Sequence, residues 1–119
     1  MKTIILILTS LLFLTGCEKE VSVLQKRGGV AYEVNSKTPF TGKLVEEYAN
    51  GQKKVEGNYK NGKSEGLETY WHENGQKLRE GNYKNGKPDG VHAWWHENGE
   101  KRSDTIWKDG HFIEYNGFP

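Results

Sequence analysis

The chain has 119 residues, of which 34% are hydrophobic and 28% charged, and its formal net charge is +1. This charge gives no basic excess for contacting the phosphate backbone of a nucleic acid, so we expect no nucleic-acid partner. The hydrophobic fraction is too small for the thick core of a two-sheet sandwich and favours a thin, single-layer structure.

Residues 1–16 have the features of an export signal. Lys2 precedes an apolar run over residues 4–14, which is shorter than the roughly 20 residues that a helix needs to cross a bilayer. The tetrad Leu-Thr-Gly-Cys at 14–17 follows this run and resembles the bacterial lipobox. That resemblance implies cleavage just before Cys17 and lipid attachment to its sulfur. The alternative is an ordinary cleavage site beside an unmodified cysteine, although this only cysteine has no disulfide partner within the chain.

Lipid attachment predicts a location in the cell envelope, on a bacterial membrane, because two or three acyl chains hold a protein stably where one binds only marginally. Glu18 follows the cysteine and is not the aspartate associated with inner-membrane retention in some bacteria with two membranes. In such a host we expect the outer membrane. Once Lys2 is removed with the signal, sixteen basic and sixteen acidic residues remain, and no polybasic cluster is present to bind anionic lipid.

Three further segments follow the signal peptide. Residues 17–29 are charged, lack the turn pattern of the rest of the chain and are predicted to be a tether. Residues 30–41 are predicted to be an entry half-repeat, and residues 42–119 to be β-hairpin repeats with a decayed C-terminal unit. In that last unit Thr105 and Glu114 occupy columns where earlier units have glycine, as is common in terminal repeats.

The repeats are marked by turn dipeptides with an alternating spacing of 11 and 13 residues, which makes a 24-residue period with two turns. The six dipeptides that keep this spacing are Asn-Gly at 50–51, 61–62, 74–75, 85–86 and 98–99, and Asp-Gly at 109–110. These dipeptides favour type I′ turns, in which both central residues need φ > 0. We therefore expect an all-β fold, an elongated single-layer array of tandem antiparallel β-hairpins forming a curved open sheet. Six turns predict about seven or more strands.

Two-residue turns also predict the register of the strands. Around residues 74–75 they pair Tyr70 with Arg79 and Trp71 with Leu78, and they place these two pairs on opposite faces. The other predicted pairs are Glu73–Gln76, His72–Lys77, Thr69–Glu80, Glu47–Lys54, Trp95–Arg102, His96–Lys101, Gly57–Gly66 and Gly81–Gly90. The paired glycines are expected to bend the sheet or to form a floor beneath an aromatic ring. Candidates for that ring are Tyr59, Tyr83 and Trp107.

Two motifs within the repeats resemble a known family. Tyr-Lys-Asn-Gly-Lys-x-x-Gly occurs at 59–66 and 83–90, and Tyr-Trp-His-Glu-Asn-Gly-Gln-Lys occurs at 70–77. They are similar to the MORN-repeat variant, and in particular to bacterial proteins of the YwqK-type antitoxin family. Over residues 40–115 this resemblance implies tandem β-hairpins in a single layer, a membrane-proximal scaffold with protein partners, and no enzymatic activity in the repeats.

Catalytic and metal-binding patterns have little support in the sequence. His92 and His96 have a spacing that suits a metal ion on a helix, but on a strand residues four apart are separated by roughly 13 Å. We therefore interpret them as surface histidines and expect no metal and no other cofactor. The carboxylates recur with the repeat and pair with lysines, whereas catalytic groups are usually singular. The chain is thus predicted not to be an enzyme.

Aromatic residues supply the candidate binding surface. The predicted anchors are Tyr70, Trp71, Trp94 and Trp95. In the first unit the same two columns hold Glu46 and Glu47, so we expect at least one column to be partly exposed. Exposed Tyr and Trp are typical of protein-binding hot spots. The alternative is that these rings only pack the array.

We therefore predict a membrane-anchored, non-enzymatic protein-interaction module, with an antitoxin-like role as its most specific form. Because an exported lipoprotein cannot reach a cytoplasmic toxin, a toxin-like partner would lie in the envelope. The alternative function is that of a cell-envelope or carbohydrate-binding lipoprotein, whose aromatic rings would stack on sugar rings.

Overall fold

The computed structural model describes residues 18–119, so the predicted signal peptide and the predicted lipid-attachment residue Cys17 lie outside the described residues. Residues 18–119 form eleven β-strands and contain no helix, which confirms the all-β prediction. In chain order the strands are β1 (Glu20–Val21), β2 (Gln25–Arg27), β3 (Val30–Tyr32), β4 (Gly42–Glu47), β5 (Lys53–Lys60), β6 (Lys63–Ser64), β7 (Gly66–Trp71), β8 (Lys77–Lys84), β9 (Lys87–Trp95), β10 (Lys101–Lys108) and β11 (His111–Gly117). This part of the chain therefore has no helix that could cross a bilayer.

Nine of the strands form one open sheet, and β2 and β3 form a separate hairpin. The order in the large sheet is β1-β4-β5-β7-β8-β9-β10-β11, with β6 paired to β5 beside this path. All its pairings are antiparallel except that of β1 with β4, which is parallel. The principal extents are 61 × 33 × 30 Å, so the array is elongated. The predicted open array of tandem hairpins is confirmed.

Three of the six turn dipeptides form the predicted type I′ turns. Asn61, Asn85 and Asp109 have φ of 50°, 51° and 49°, and the glycine that follows each also has positive φ. Both central residues are therefore in the left-handed region that this turn requires. These turns join β5 to β6, β8 to β9 and β10 to β11.

The other three dipeptides form a different turn, and the type I′ prediction is wrong for them. At residues 72–76 only Gly75 has positive φ, at 89°. The amide of Gly75 donates to the carbonyl of His72 over 3.0 Å, and the amide of His72 donates to the carbonyl of Gln76 over 2.8 Å. This is a three-residue loop, a type I turn followed by a glycine bulge. Asn74 stabilises it because its Oδ1 accepts the Gln76 amide at 3.0 Å.

The three-residue loops insert one extra residue after each turn and so change the predicted register. Tyr70 pairs with Arg79 as predicted, but Trp71 pairs with Lys77, and Leu78 is the bulged residue. The predicted pair Thr69–Glu80 is confirmed. Trp95–Lys101 and Glu47–Lys53 replace the predicted Trp95–Arg102 and Glu47–Lys54, and the predicted pairs Glu73–Gln76, His72–Lys77 and His96–Lys101 are also wrong.

The predicted glycine pairs are wrong as well, since the register slips by two residues after the type I′ turns at 61–62 and 85–86. Gly81 pairs with His92 rather than with Gly90. Gly90 has φ of 83° and lies within β9 at the place where the pairing of β9 with β8 shifts its register. A Cβ atom on Gly81 would collide with the His92 ring, so this glycine does form a floor beneath a ring. The ring is that of His92, and the predicted candidates Tyr59, Tyr83 and Trp107 are wrong. Gly57 likewise lies beneath the Glu68 side chain.

A small core joins residues 30–41, which we call the entry segment, to the first repeat. Its buried residues are Ala31, Phe40, Leu44, Val55 and Tyr59. The Phe40 and Tyr59 rings pack with their centroids 6.2 Å apart. Backbone hydrogen bonds reinforce the contact, because the amide of Ala31 donates to the carbonyl of Gly62 and the amide of Gly62 donates to the carbonyl of Phe40. The entry segment thus covers one face of the sheet at its N-terminal end.

Part of the predicted tether belongs to the folded structure. β1 lies beside β4, and the amide of Lys43 donates to the carbonyl of Lys19 over 2.8 Å. β2 pairs with β3. The charged local sequence hid this pairing, because backbone groups at the exposed edge of β4 accept a short strand of almost any composition.

Candidate functional site

The two faces of the sheet differ in chemistry. We call the face that carries Tyr70, Arg79 and Trp94 the aromatic face, and the opposite face, which carries Glu56 and Glu80, the ion-pair face. Strand alternation places Tyr70 and Trp94 on the aromatic face and their neighbours Trp71 and Trp95 on the ion-pair face. The four predicted anchors are therefore not one surface, and all four are partly buried.

A hollow on the aromatic face lies where two repeats meet. Arg79 of β8 pairs with Tyr70 of β7 on one side and with Trp94 of β9 on the other. The Arg79 guanidinium carbon lies 4.2 Å from the centroid of the Tyr70 ring, a cation–π contact. Leu78 completes the lining of a hollow of about 280 Å³. The bulge thus turns Leu78 to this face, and its predicted place beside Trp71 is wrong.

A buried carboxylate holds the hollow in shape. Glu68 is only 7% exposed, and its Oε1 lies 3.4 Å from Nη2 of Arg79. The hydroxyl of Ser64 donates to the other carboxylate oxygen over 3.4 Å. Burial, and then a hydrogen bond with Glu68, raises the pKa of the Tyr70 hydroxyl well above its usual range. Tyr70 therefore stays neutral. Its ring and the Glu68 carboxylate both contact Arg79, so these side chains hold one another in place without a partner.

Next to the hollow, His92 is the centre of an aromatic cluster. It is 4% exposed, and its ring centroid lies 5.0 Å from that of Tyr83 and 6.4 Å from that of Trp107. Its Nε2 lies 2.8 Å from the carbonyl oxygen of Asn82. The prediction of a surface histidine is wrong here, because the ring lies in the space that the missing side chain of Gly81 leaves.

On the ion-pair face, Trp71 and Trp95 take part in a ladder that joins one repeat to the next. Lys53 Nζ lies 5.8 Å from the Trp71 ring centroid and 2.5 Å from Oε2 of Glu56. One unit later, Lys77 Nζ lies 5.7 Å from the Trp95 ring centroid, and it pairs with Glu80 in the same way. These two tryptophans thus cover the stems of lysines that are already paired with carboxylates.

The carboxylates of the ion-pair face are held in their charged form. Hydrogen bonds from Lys43 and then from Lys53 lower the pKa of Glu56. Hydrogen bonds from Lys101 and Asn116 do the same for Asp104. Carboxylates of this kind suit ion pairing better than proton transfer near neutral pH. Residues 18–119 also contain no cluster of three or more His, Cys, Asp or Glu side chains that could hold a metal ion.

Two residues of the hollow, Leu78 and Arg79, were not predicted as binding residues from the sequence. Arg79 was recognisable as the partner of Tyr70, but its second neighbour, Trp94, depends on the slipped register between β8 and β9. Leu78 was assigned to the other face because the bulge was not foreseen. Only the asymmetry between the 11- and 13-residue spacings hinted that the two kinds of turn differ.

Comparison with known protein families finds one similarity, within the repeats. Residues 40–61 and 64–85 each match the family model of the MORN repeat variant. No curated protein and no solved structure matches the chain. MORN repeats are commonly modules that interact with proteins or membranes, and they are generally not catalytic. The first two hairpin units are thus similar to the MORN repeat variant, and the third unit continues their strand pairing.

Proposed function

We propose that the protein is a membrane-anchored, non-enzymatic interaction module that binds a partner protein through its aromatic face. The observation that carries this proposal is the open hollow between Tyr70 and Trp94, lined by Leu78 and Arg79. Tyr, Trp and Arg are the side chains most enriched among interface hot spots. Because Glu68 and Arg79 already fix the geometry, binding would cost little ordering of these side chains.

The size of the hollow favours a protein side chain over a free small molecule. Its volume of about 280 Å³ lies just below the range of roughly 300–1,000 Å³ that is usual for small-molecule pockets. One apolar or aromatic side chain of a partner would fill it, with the rest of the contact spread over the sheet. The partner would be exported too, and an antitoxin-like role would require a toxin-like protein in the envelope.

The anchoring part of the proposal rests on Cys17 and on the place where the described chain begins. Glu18 lies next to the edge of the sheet, because Lys19 is already bonded to Lys43 of β4. A lipid on Cys17 would therefore hold the first repeat close to the bilayer and leave the hollow on the later repeats accessible.

Site-specific photo-crosslinking in native membranes tests the binding surface. A photoreactive residue at Leu78 should crosslink to a defined partner, whereas one at Val91, which is 51% exposed on another part of the sheet, should not. Trp94→Ala should weaken binding of that purified partner at least tenfold without lowering the melting temperature by more than a few degrees. Trp95→Ala is the matched control, and it should change stability rather than affinity. Equal crosslinking at both positions would contradict the proposal.

A carbohydrate ligand is the second candidate, because the Trp94 ring beside a guanidinium would also suit a sugar ring. Sedimentation with purified peptidoglycan separates the two. If wild type sediments with peptidoglycan and Trp94→Ala does not, the ligand is a carbohydrate. If neither protein sediments with peptidoglycan, the result favours the protein partner.

A further inference from the structure

A second hollow lies on the aromatic face, one repeat after the hollow at Leu78. Its volume is about 240 Å³, and it is lined by Trp94, Arg102, Ser103, Thr105 and Tyr115. These residues come from β9, β10 and β11, so the hollow is bounded by a strand on each side. We call it the polar hollow, because a guanidinium and three hydroxyl groups line it.

The two hollows are built by equivalent positions of successive units. The Trp94 ring lines both of them. The bulged residue is Leu78 in the second unit and, 24 residues later, Arg102 in the third. The bulge turns Arg102 onto the aromatic face as it turns Leu78. An apolar side chain and a guanidinium therefore lie on opposite sides of one tryptophan.

The guanidinium of Arg102 has no counter-charge within the described residues. In the unit before, the buried Glu68 carboxylate pairs with Arg79. The residue 24 positions after Glu68 is His92, so the carboxylate is not repeated. None of the ion pairs of residues 18–119 includes Arg102, and no acidic residue lines the polar hollow. The polar hollow thus presents an exposed cation without an anion.

The floor and the outer wall of the polar hollow add hydroxyl groups to this cation. Ser103, which is 7% exposed, pairs with Trp94 on one side and with Gly117 on the other. Gly117 has no side chain, and the Tyr115 hydroxyl lies in the space beside it, 3.0 Å from where a Cβ atom would be. The hydroxyl groups of Ser103 and Tyr115 can therefore donate to an anion that binds Arg102.

We propose that the partner of the aromatic face places an apolar side chain in the hollow at Leu78 and the carboxylate of an Asp or Glu in the polar hollow. This step rests on the proposed partner binding and specifies the chemistry of the partner. The carboxylate would take the place at Arg102 that Glu68 has at Arg79. Arginine is well suited to it, because its planar guanidinium binds a carboxylate through two N–H groups.

The distance between the hollows restricts the shape of the partner segment. They lie one repeat apart, which is two strands or about 9.6 Å across the sheet. A polyproline-II segment returns to the same side after three residues, over about 9.3 Å. An α-helix does so after seven residues, over about 10.5 Å. A β-strand does not fit, because its side chains on one face are about 6.8 or 13.6 Å apart.

Selection of random peptides displayed on phage against the purified full chain tests this chemistry. Peptides enriched on wild type should carry Asp or Glu three or seven positions from an aliphatic or aromatic residue. Arg102→Glu should instead enrich Lys or Arg at the acidic position and keep the apolar residue. The matched control is Lys108→Glu, an exposed cation of the same strand that lines neither hollow, and it should select the wild-type peptides. If Arg102→Glu selects the same acidic peptides, or if nothing is enriched on wild type, the proposal is overturned.

The affinity of one enriched peptide, made synthetically, provides a second readout. Arg102→Gln should weaken its binding by about fivefold, and replacing the acid of the peptide by its amide should then weaken it no further. The melting temperature should not change, because Arg102 is exposed. Binding that depends on Trp94 but not on Arg102 would overturn this proposal and leave the proposed function standing. Binding that depends on neither residue would contradict both.

Discussion

The Arg79 side chain makes three contacts that no residue at this position in the other units makes. It stacks on the Tyr70 ring, compensates the buried Glu68 carboxylate and forms one wall of the hollow beside Trp94. In the first and third units the same column holds Val55 and Ser103, so the arrangement occurs once in the repeats. A residue that breaks the repeat at a pre-shaped hollow is a better candidate for specificity than a residue that recurs in each unit.

Substitution of Arg79 tests the pairing energetically. Arg79→Ala leaves the Glu68 carboxylate buried without its cation, and it should lower the free energy of unfolding by about 1–3 kcal/mol. The double variant Arg79→Met with Glu68→Met should recover part of that loss because no charge is left buried. Arg102→Ala, at an exposed bulge, should change stability by less than about 0.5 kcal/mol. Urea denaturation measures all three, and an Arg79→Ala protein as stable as Arg102→Ala would refute the pairing.

The Glu56 ion pair predicts a pH dependence of stability. Its hydrogen bonds with Lys43 and Lys53 lower the folded-state pKa below the ordinary value of 4.5. A depressed carboxyl pKa stabilises the fold above the unfolded-state value, and the contribution is lost as the pH falls through the folded-state pKa. Urea midpoints measured from pH 7 down to pH 3 should therefore fall less steeply below pH 4.5 in Glu56→Gln than in wild type. The exposed turn variant Glu73→Gln should follow the wild-type curve.

At the scale of the elements, two kinds of turn alternate. The 61–62, 85–86 and 109–110 turns are type I′, and the turns around 50–51, 74–75 and 98–99 are type I turns with a glycine bulge. The extra residue of the bulge turns Leu78 onto the aromatic face and pairs Trp71 with Lys77. The composition of both faces thus depends on a difference between turns that share the same dipeptide.

Proline substitution distinguishes the two turns. Glu73 is the second residue of a type I turn, where φ near −60° suits proline, so Glu73→Pro should change the free energy of unfolding by less than about 1 kcal/mol. Asn85 has φ of 51°, which proline cannot adopt, so Asn85→Pro should destabilise the fold by several kcal/mol or prevent folding. Thermal denaturation followed by circular dichroism measures both. Equal effects would mean that the turns are alike.

For the whole molecule, the important fact is that the two ends differ. The N-terminal end is covered by β1 and by the core around Phe40, and the C-terminal end has the exposed edge of β11. Between them the aromatic face is open over the later repeats. An anchor near Glu18 would therefore lie at the covered end and leave the hollow free for a partner.

Lipidation is tested on the whole protein in its host. Labelled palmitate should be incorporated into the wild-type chain and not into Cys17→Ser, because the cysteine sulfur is the expected site of acylation. The wild-type protein should also fractionate with membranes. If both forms are soluble and unlabelled, the anchor prediction is wrong and the array is not a lipoprotein.

The sequence by itself determined the repetitive all-β architecture, because the Asn-Gly and Asp-Gly dipeptides encode local turns and their period sets the hairpins. It also determined the pairs Tyr70–Arg79 and Thr69–Glu80, which lie beyond the bulge, where the extra residue restores the register. Strand alternation then placed Trp94 and Trp95 on opposite faces of the sheet. Each of these features depends on residues close together in the chain.

Tertiary structure decided the features that depend on contacts between strands. The same dipeptide forms two types of turn, and the type depends on the strand pairing that flanks it. The type of turn in its place decides the face on which Leu78 lies. Gly81 beneath His92, the strand β1 beside β4 and the buried Glu68 all result from packing between residues that no local pattern relates. The hollow belongs to this group because its walls, Tyr70 and Trp94, come from adjacent repeats and meet only across Arg79.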